Sequence, residues 1–74
     1  MSTILANQTE QNKTLTIISE AGRIYKVLIN DKDVDELKMW KKGDKVSMDR
    51  IKDESNFKIK HKLYRVTIIA NWVS

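Results

Sequence analysis

The sequence predicts an all-β protein: one small antiparallel barrel of five or six strands, preceded by a flexible N-terminal arm. Three observations carry this. Short runs rich in β-branched residues alternate apolar and polar side chains with a period of two. The only 2 glycines both sit between such runs, in Glu20-Ala21-Gly22-Arg23 and in Trp40-Lys41-Lys42-Gly43-Asp44-Lys45-Val46. With 74 residues, 41% of them hydrophobic, the chain makes one small domain and holds too much apolar content for wholesale disorder.

Residues 1–12 are polar, rich in Asn, Gln and Thr, and show no period, so they read as the arm, with Ile4 and Leu5 adding at most an edge contact. Residues 13–74 form the barrel domain. Its first strand lies in residues 13–20, where Leu15 and Ile17 share a face. Gly22 turns the chain into residues 24–29, which put Tyr25, Val27 and Ile29 on one side and Ile24, Lys26 and Leu28 on the other. Residues 30–33 are a loop.

Residues 33–42 carry two conflicting signals. Asp33 with Glu36 resembles a capping box, and Val34, Leu37 and Trp40 have helical spacing. Leu37-Lys38-Met39-Trp40 also alternates as a short strand. The strand is the preferred reading, because it leads straight into the Gly43-Asp44 reversal and can pair with residues 45–51. In that next strand Val46 and Met48 face inward, and residues 52–56 are a solvated turn.

Phe57, Ile59 and His61 alternate with Lys58, Lys60 and Lys62, and Tyr64, Val66, Ile68, Ala70 and Trp72 stay in phase. One straight strand from Phe57 to Trp72 would span roughly 50 Å. A domain of this size has a radius of gyration near about 11 Å. The chain therefore bends within residues 62–65, although no Gly or Pro marks the place. The expected core is Leu15, Ile17, Tyr25, Val27, Trp40, Val46, Met48, Ile59, Val66 and Ile68.

With no Cys, the chain has neither disulfides nor thiolate ligands, and packing alone must hold so small a core unless the protein oligomerises. No apolar run approaches the length of a membrane span. The first residues lack a basic n-region and a long apolar segment, so they do not read as a signal peptide. A cytoplasmic location is expected if Met1 is native, and the cell envelope if a signal has been removed.

Catalytic and metal chemistry find little support. Asp31, Asp33 and Asp35 open like a calcium loop, but the sixth position is Glu36 and the twelfth is Lys42, where the geometry needs Gly and a bidentate Glu. His61 is the only histidine and has no recognisable nucleophile or set of co-ligands. No glycine-rich phosphate loop is present. The expectation is a non-enzymatic module without cofactors.

Charge is the remaining signal. The net charge is +4, but residues 1–37 carry four basic against six acidic side chains, and residues 38–74 carry ten against four. Lys58, Lys60 and Lys62 would project from one strand face, about 6.6 Å apart in sequence. Lys38, Lys41, Lys42 and Lys45 crowd Trp40. These lysines and Trp40, with Tyr25 and Tyr64 as further stacking platforms, are the candidate surface for nucleic acid or another partner. The competing reading makes the lysines the wet face of an antiparallel sheet and the aromatics core. A protein partner, docked on a strand edge or an apolar patch around Trp72, is the preferred expectation, and nucleic acid the alternative.

Gly22-Arg23-Ile24-Tyr25-Lys26-Val27, Trp40-Lys41-Lys42-Gly43-Asp44-Lys45-Val46 and Phe57-Lys58-Ile59-Lys60-His61 together resemble small bacterial proteins of unknown function. Those proteins carry a Gly-x-aromatic-x-Val strand, a Trp-x-x-Gly-Asp-x-Val turn and a final Tyr-x-Leu-x-Asn strand. The resemblance covers roughly residues 14–70 and implies an SH3-like or OB-like barrel, with some members exported to the cell envelope. His61 stands where Asn is usual. No catalytic residues carry over.

Overall fold

A computed structural model describes residues 1–51 and 55–73. Six strands within them close into an antiparallel barrel: β1 (Ser2–Gln8), β2 (Thr14–Ile18), β3 (Ile24–Ile29), β4 (Lys45–Arg50), β5 (Asn56–His61) and β6 (Thr67–Trp72). Two short helices, α1 (Thr9–Asn12) and α2 (Val34–Leu37), the latter preceded by a single 3₁₀ turn (Asp31–Asp33), join the strands at one end. Around the ring the order is β1-β2-β3-β6-β5-β4. The chain thus forms two three-stranded meanders, β1-β2-β3 and β4-β5-β6, joined along two seams. The β1·β4 seam pairs Ser2 with Val46 and Thr3 with Lys45, and the β3·β6 seam pairs Val27 with Trp72 and Ile29 with Ala70. The radius of gyration is 10.9 Å, as the size argument requires.

The N-terminal arm is a correction. Residues 2–8 are a strand, hydrogen-bonded to both neighbours and needed to close the ring. A β-bulge explains why the sequence hides it. Ile4 pairs with Ile17 and Ala6 with Thr16, leaving Leu5 as the extra residue. The bulge shifts the alternation by one, so Asn7, paired with Leu15, comes round to the same face as Ile4.

The β2–β3 hairpin forms as expected. Gly22 has φ +84°, its amide donates to the Ser19 carbonyl at 2.9 Å, and the Ser19 amide donates to the Arg23 carbonyl at 2.8 Å. Residues 33–42 are the second correction. They hold α2 and a turn rather than a strand, and the alternation of Leu37 with Met39 is incidental: Leu37 and Trp40 are buried while Met39 is exposed. The helical spacing was the signal that mattered, although Asp33 makes no side-chain cap bond. At Lys41–Asp44 the Asp44 amide donates to the Lys41 carbonyl at 3.0 Å, and Gly43 takes φ +94°, which type II turns reserve for glycine at their third position.

The bend at residues 62–65 is present. It is made without glycine, because Arg65 takes the left-handed conformation, φ +58°, and its amide donates to the His61 carbonyl at 2.9 Å. Most of the solvated turn expected at 52–56 lies outside the described residues. The core contains Leu15, Ile17, Val27, Trp40, Val46, Ile59 and Ile68, as expected; Tyr25, Met48 and Val66 pack against it from partly buried positions. Ile4, Ile29, Leu37, Phe57 and Ala70 are also buried; Ile29, Phe57 and Ala70 follow the predicted alternation, whereas Ile4 and Leu37 do not.

Candidate functional site

Each barrel end is filled differently. At the end carrying the β2–β3 turn, Tyr25, Phe57 and Trp72 meet edge-to-face, with ring centroids 5.1 to 6.0 Å apart. Arg23 lies over Tyr25 at 5.8 Å and Arg50 over Trp72 at 5.1 Å, so both rings already carry a cation on one face.

At the opposite end α2 closes the barrel. Asn7, brought inward by the bulge, donates its side-chain amide to the Leu37 carbonyl at 2.8 Å and the Trp40 carbonyl at 2.6 Å. The Leu37 carbonyl also accepts the Trp40 amide at 3.0 Å, so Asn7 adds a second donor at the end of α2. Asn7 Oδ1 accepts the Thr9 amide at 3.0 Å, so one side chain ties β1, α1 and α2 together.

Below this cap lies His61, 1% exposed. Its ring stacks on Tyr64, centroids 4.4 Å apart, and packs against Trp40 at 4.9 Å. His61 Nδ1 accepts the backbone amides of Leu63 and Tyr64, both at 3.2 Å. Nδ1 is therefore unprotonated, the proton sits on Nε2, and Nε2 donates to Asp44 Oδ2 at 2.8 Å. The Lys41 amide donates to the same oxygen at 2.8 Å. Those two bonds, the Lys41 amide first, hold the Asp44 carboxyl below the usual carboxylate range. The pair fastens the Gly43 turn to the β5–β6 turn.

Trp40 is 1% exposed, which removes it from the candidate surface: the indole is core and cannot stack on a ligand. Tyr64 already stacks on His61. Of the seven lysines, Lys58 and Lys60 share one outer face of the β4–β5 pair with Ser47 and Asp49, and the Lys62 amide continues that ladder to the Lys45 carbonyl. Lys38, Lys41 and Lys42 line a hollow of about 340 Å³ between α1 and α2, shared with Glu10, and Lys38 is paired with Asp35 at 3.2 Å. Lys45 donates to Thr3 Oγ1 at 2.8 Å on β1. Lys58 stands opposite Asp49 on β4 and Ile69 on β6. Lys60 and Lys62 join Ser47 and Arg65 around a separate hollow of about 390 Å³.

No protein-family model, curated protein or solved structure matches this chain. The site must be read from its own chemistry. Among the described residues no three His, Cys, Asp or Glu side chains converge as a metal site. Asp31 is ion-paired with Lys13 across the α1–β2 junction, and Asp35 with Lys38. Among the described residues no helix is long and apolar enough to cross a membrane.

Sequence reasoning missed a second surface. The outer faces of β3 and β6 expose Ile24, Leu28, Ile69 and Val73, each between 41 and 57%. Register brings them together. Leu28 stands opposite Asn71, so Ile69 and Val73 are its diagonal neighbours, and the Val73 amide donates to the Lys26 carbonyl at 3.0 Å. Ile24 continues the patch toward Ile18, its partner on β2. The signal was legible, since Ile24 and Leu28 fall on the face opposite Val27.

Proposed function

We propose that this chain is a non-catalytic interaction module whose partner is a protein, docked on the outer face of β3 and β6. The observation that carries the reading is the cluster of Leu28, Ile69 and Val73 on adjacent strands, each about half exposed, where an antiparallel sheet facing water would carry polar residues. Lys26 lies within the patch and Lys58 stands beside Ile69. Charge complementarity therefore favours an extended apolar segment carrying carboxylates. We place the barrel with the SH3-like or OB-like group on the strength of its Trp40–Val46 and Gly22–Val27 motifs.

Nucleic-acid binding is the weaker reading. It needs stacking rings beside a continuous cationic track. Trp40 is interior, and Lys38, Lys41 and Lys42 line a different hollow from Lys60 and Lys62.

An NMR titration tests the reading, using a synthetic peptide of alternating Val and Glu and a Val/Lys peptide as control. Saturable shifts at Leu28, Ile69 and Val73 with the acidic peptide, abolished by Leu28→Gln/Ile69→Gln, are expected. Equal response to both peptides, or shifts that survive the double substitution, would overturn it. Both substituted side chains are solvent-facing, so folding should change by only about 0.5 kcal/mol.

A further inference from the structure

We propose that the hollow bounded by β4, β5 and the β5–β6 turn is an oxyanion site that takes a compact phosphoryl- or sulfate-type dianion. It lies on β5 and its turn, apart from the β3–β6 patch, and does not depend on the protein-docking reading.

The lining comes first. Ser47, Lys60, Lys62 and Arg65 surround about 390 Å³, a size that suits a small ligand. Three are cations, one is a hydroxyl, and none is a carboxylate. Among the described residues no acidic side chain lies within ion-pair distance of Lys60, Lys62 or Arg65. Three like charges held together repel one another, and a dianion relieves that repulsion while gaining a guanidinium fork that matches two of its oxygens. Ser47 pairs in register with Lys60, which places its hydroxyl on the same sheet face.

The backbone comes second. The turn that carries Lys62 and Arg65 is fixed from several sides. The Lys62 amide donates to the Lys45 carbonyl at 3.0 Å, the His61 amide to the Val66 carbonyl at 2.9 Å, and the Leu63 and Tyr64 amides to the buried His61 ring. Arg65 closes it in the left-handed region, where an L side chain is disfavoured and glycine is at ease. That conformation, shared with Lys13, sets the direction in which Arg65 leaves the turn, and its side chain lines the cationic hollow. The buried His61 ring thus fixes the turn without itself lining the hollow.

The test is an NMR titration with pyrophosphate, inorganic phosphate and sulfate at constant ionic strength, with oligothymidylate as a separate arm. Saturable shifts confined to Ser47, Lys60, Lys62 and Arg65 are expected. Arg65→Gln should weaken pyrophosphate about tenfold or more, and Lys26→Gln should leave it unchanged. Amide spectra of both variants that match the parent away from the substitution separate lost binding from lost folding. Arg65→Lys, which keeps the charge without the fork, should fall between. Non-saturating shifts spread equally over Lys38, Lys41 and Lys42 would overturn the site. So would oligothymidylate binding that runs along Lys58 and Lys38, which would mark a nucleic-acid surface instead.

Discussion

His61 Nε2 donates to Asp44 Oδ2 at 2.8 Å, and this one bond joins the turn that enters β4 to the turn that leaves β5. The opposite ring nitrogen accepts two backbone amides, so the ring cannot keep those bonds and also carry a proton on Nδ1. ¹⁵N NMR should show the neutral imidazole as the Nε2-protonated tautomer. A dominant Nδ1–H signal would contradict the geometry.

Asp44 sets a pH dependence whose sign is fixed. Its folded pKa lies below the ordinary carboxylate value, first because of the Lys41 amide and then because of His61. The unfolded chain thus binds this proton more readily, and the stability gained is complete above an unfolded pKa of about 3.9. It is lost as pH falls through the depressed folded value. Urea denaturation of the parent and of Asp44→Asn should show the gap between them narrowing below about pH 4. A gap that widens in acid would refute the assignment.

Asn7 is the second joint. Replacing it with Ala removes a donor from each of the Leu37 and Trp40 carbonyls; Leu37 keeps the Trp40 amide, while Trp40 loses its side-chain donor. The expected cost is about 1–3 kcal/mol, measured by chemical denaturation. Hydrogen exchange should rise in α2 before it rises in β5.

Gly43→Ala isolates a conformational effect. A Cβ there would meet nothing within 4 Å, yet φ is +94°. A loss of about 1–2 kcal/mol is expected from backbone strain alone. No loss on thermal or urea unfolding would mean that the turn can re-form in another geometry.

The strands that kept a period of two were legible. β2, β3 and β5 follow their alternation, and the length limit located the β5–β6 bend that no glycine announces. Where the period broke, legibility failed. The bulge at Leu5 placed Ile4 and Asn7 on one face three residues apart, so β1 looked aperiodic. Across α2 and the turn after it only Leu37 and Trp40 reach the core, too short a stripe to outweigh the strand-like alternation beside it. The lysines named themselves, but whether they met on one face depended on the ring order of the strands, which composition does not encode. The His61–Asp44 bond joins residues that are distant in the chain, and neither looks unusual there.

Strand neighbours within each meander lie close in sequence, whereas Ser2 meets Val46 and Val27 meets Trp72 only after long loops close. The seams are therefore the barrel's weakest joints. The apolar patch straddles one of them, with Leu28 on β3, Ile69 on β6 and Val73 just after it. A partner seated there would grip both meanders at once and work as a clasp. Its affinity would then be drawn partly from holding a small, cysteine-free barrel shut, and the complex should melt later than the free chain.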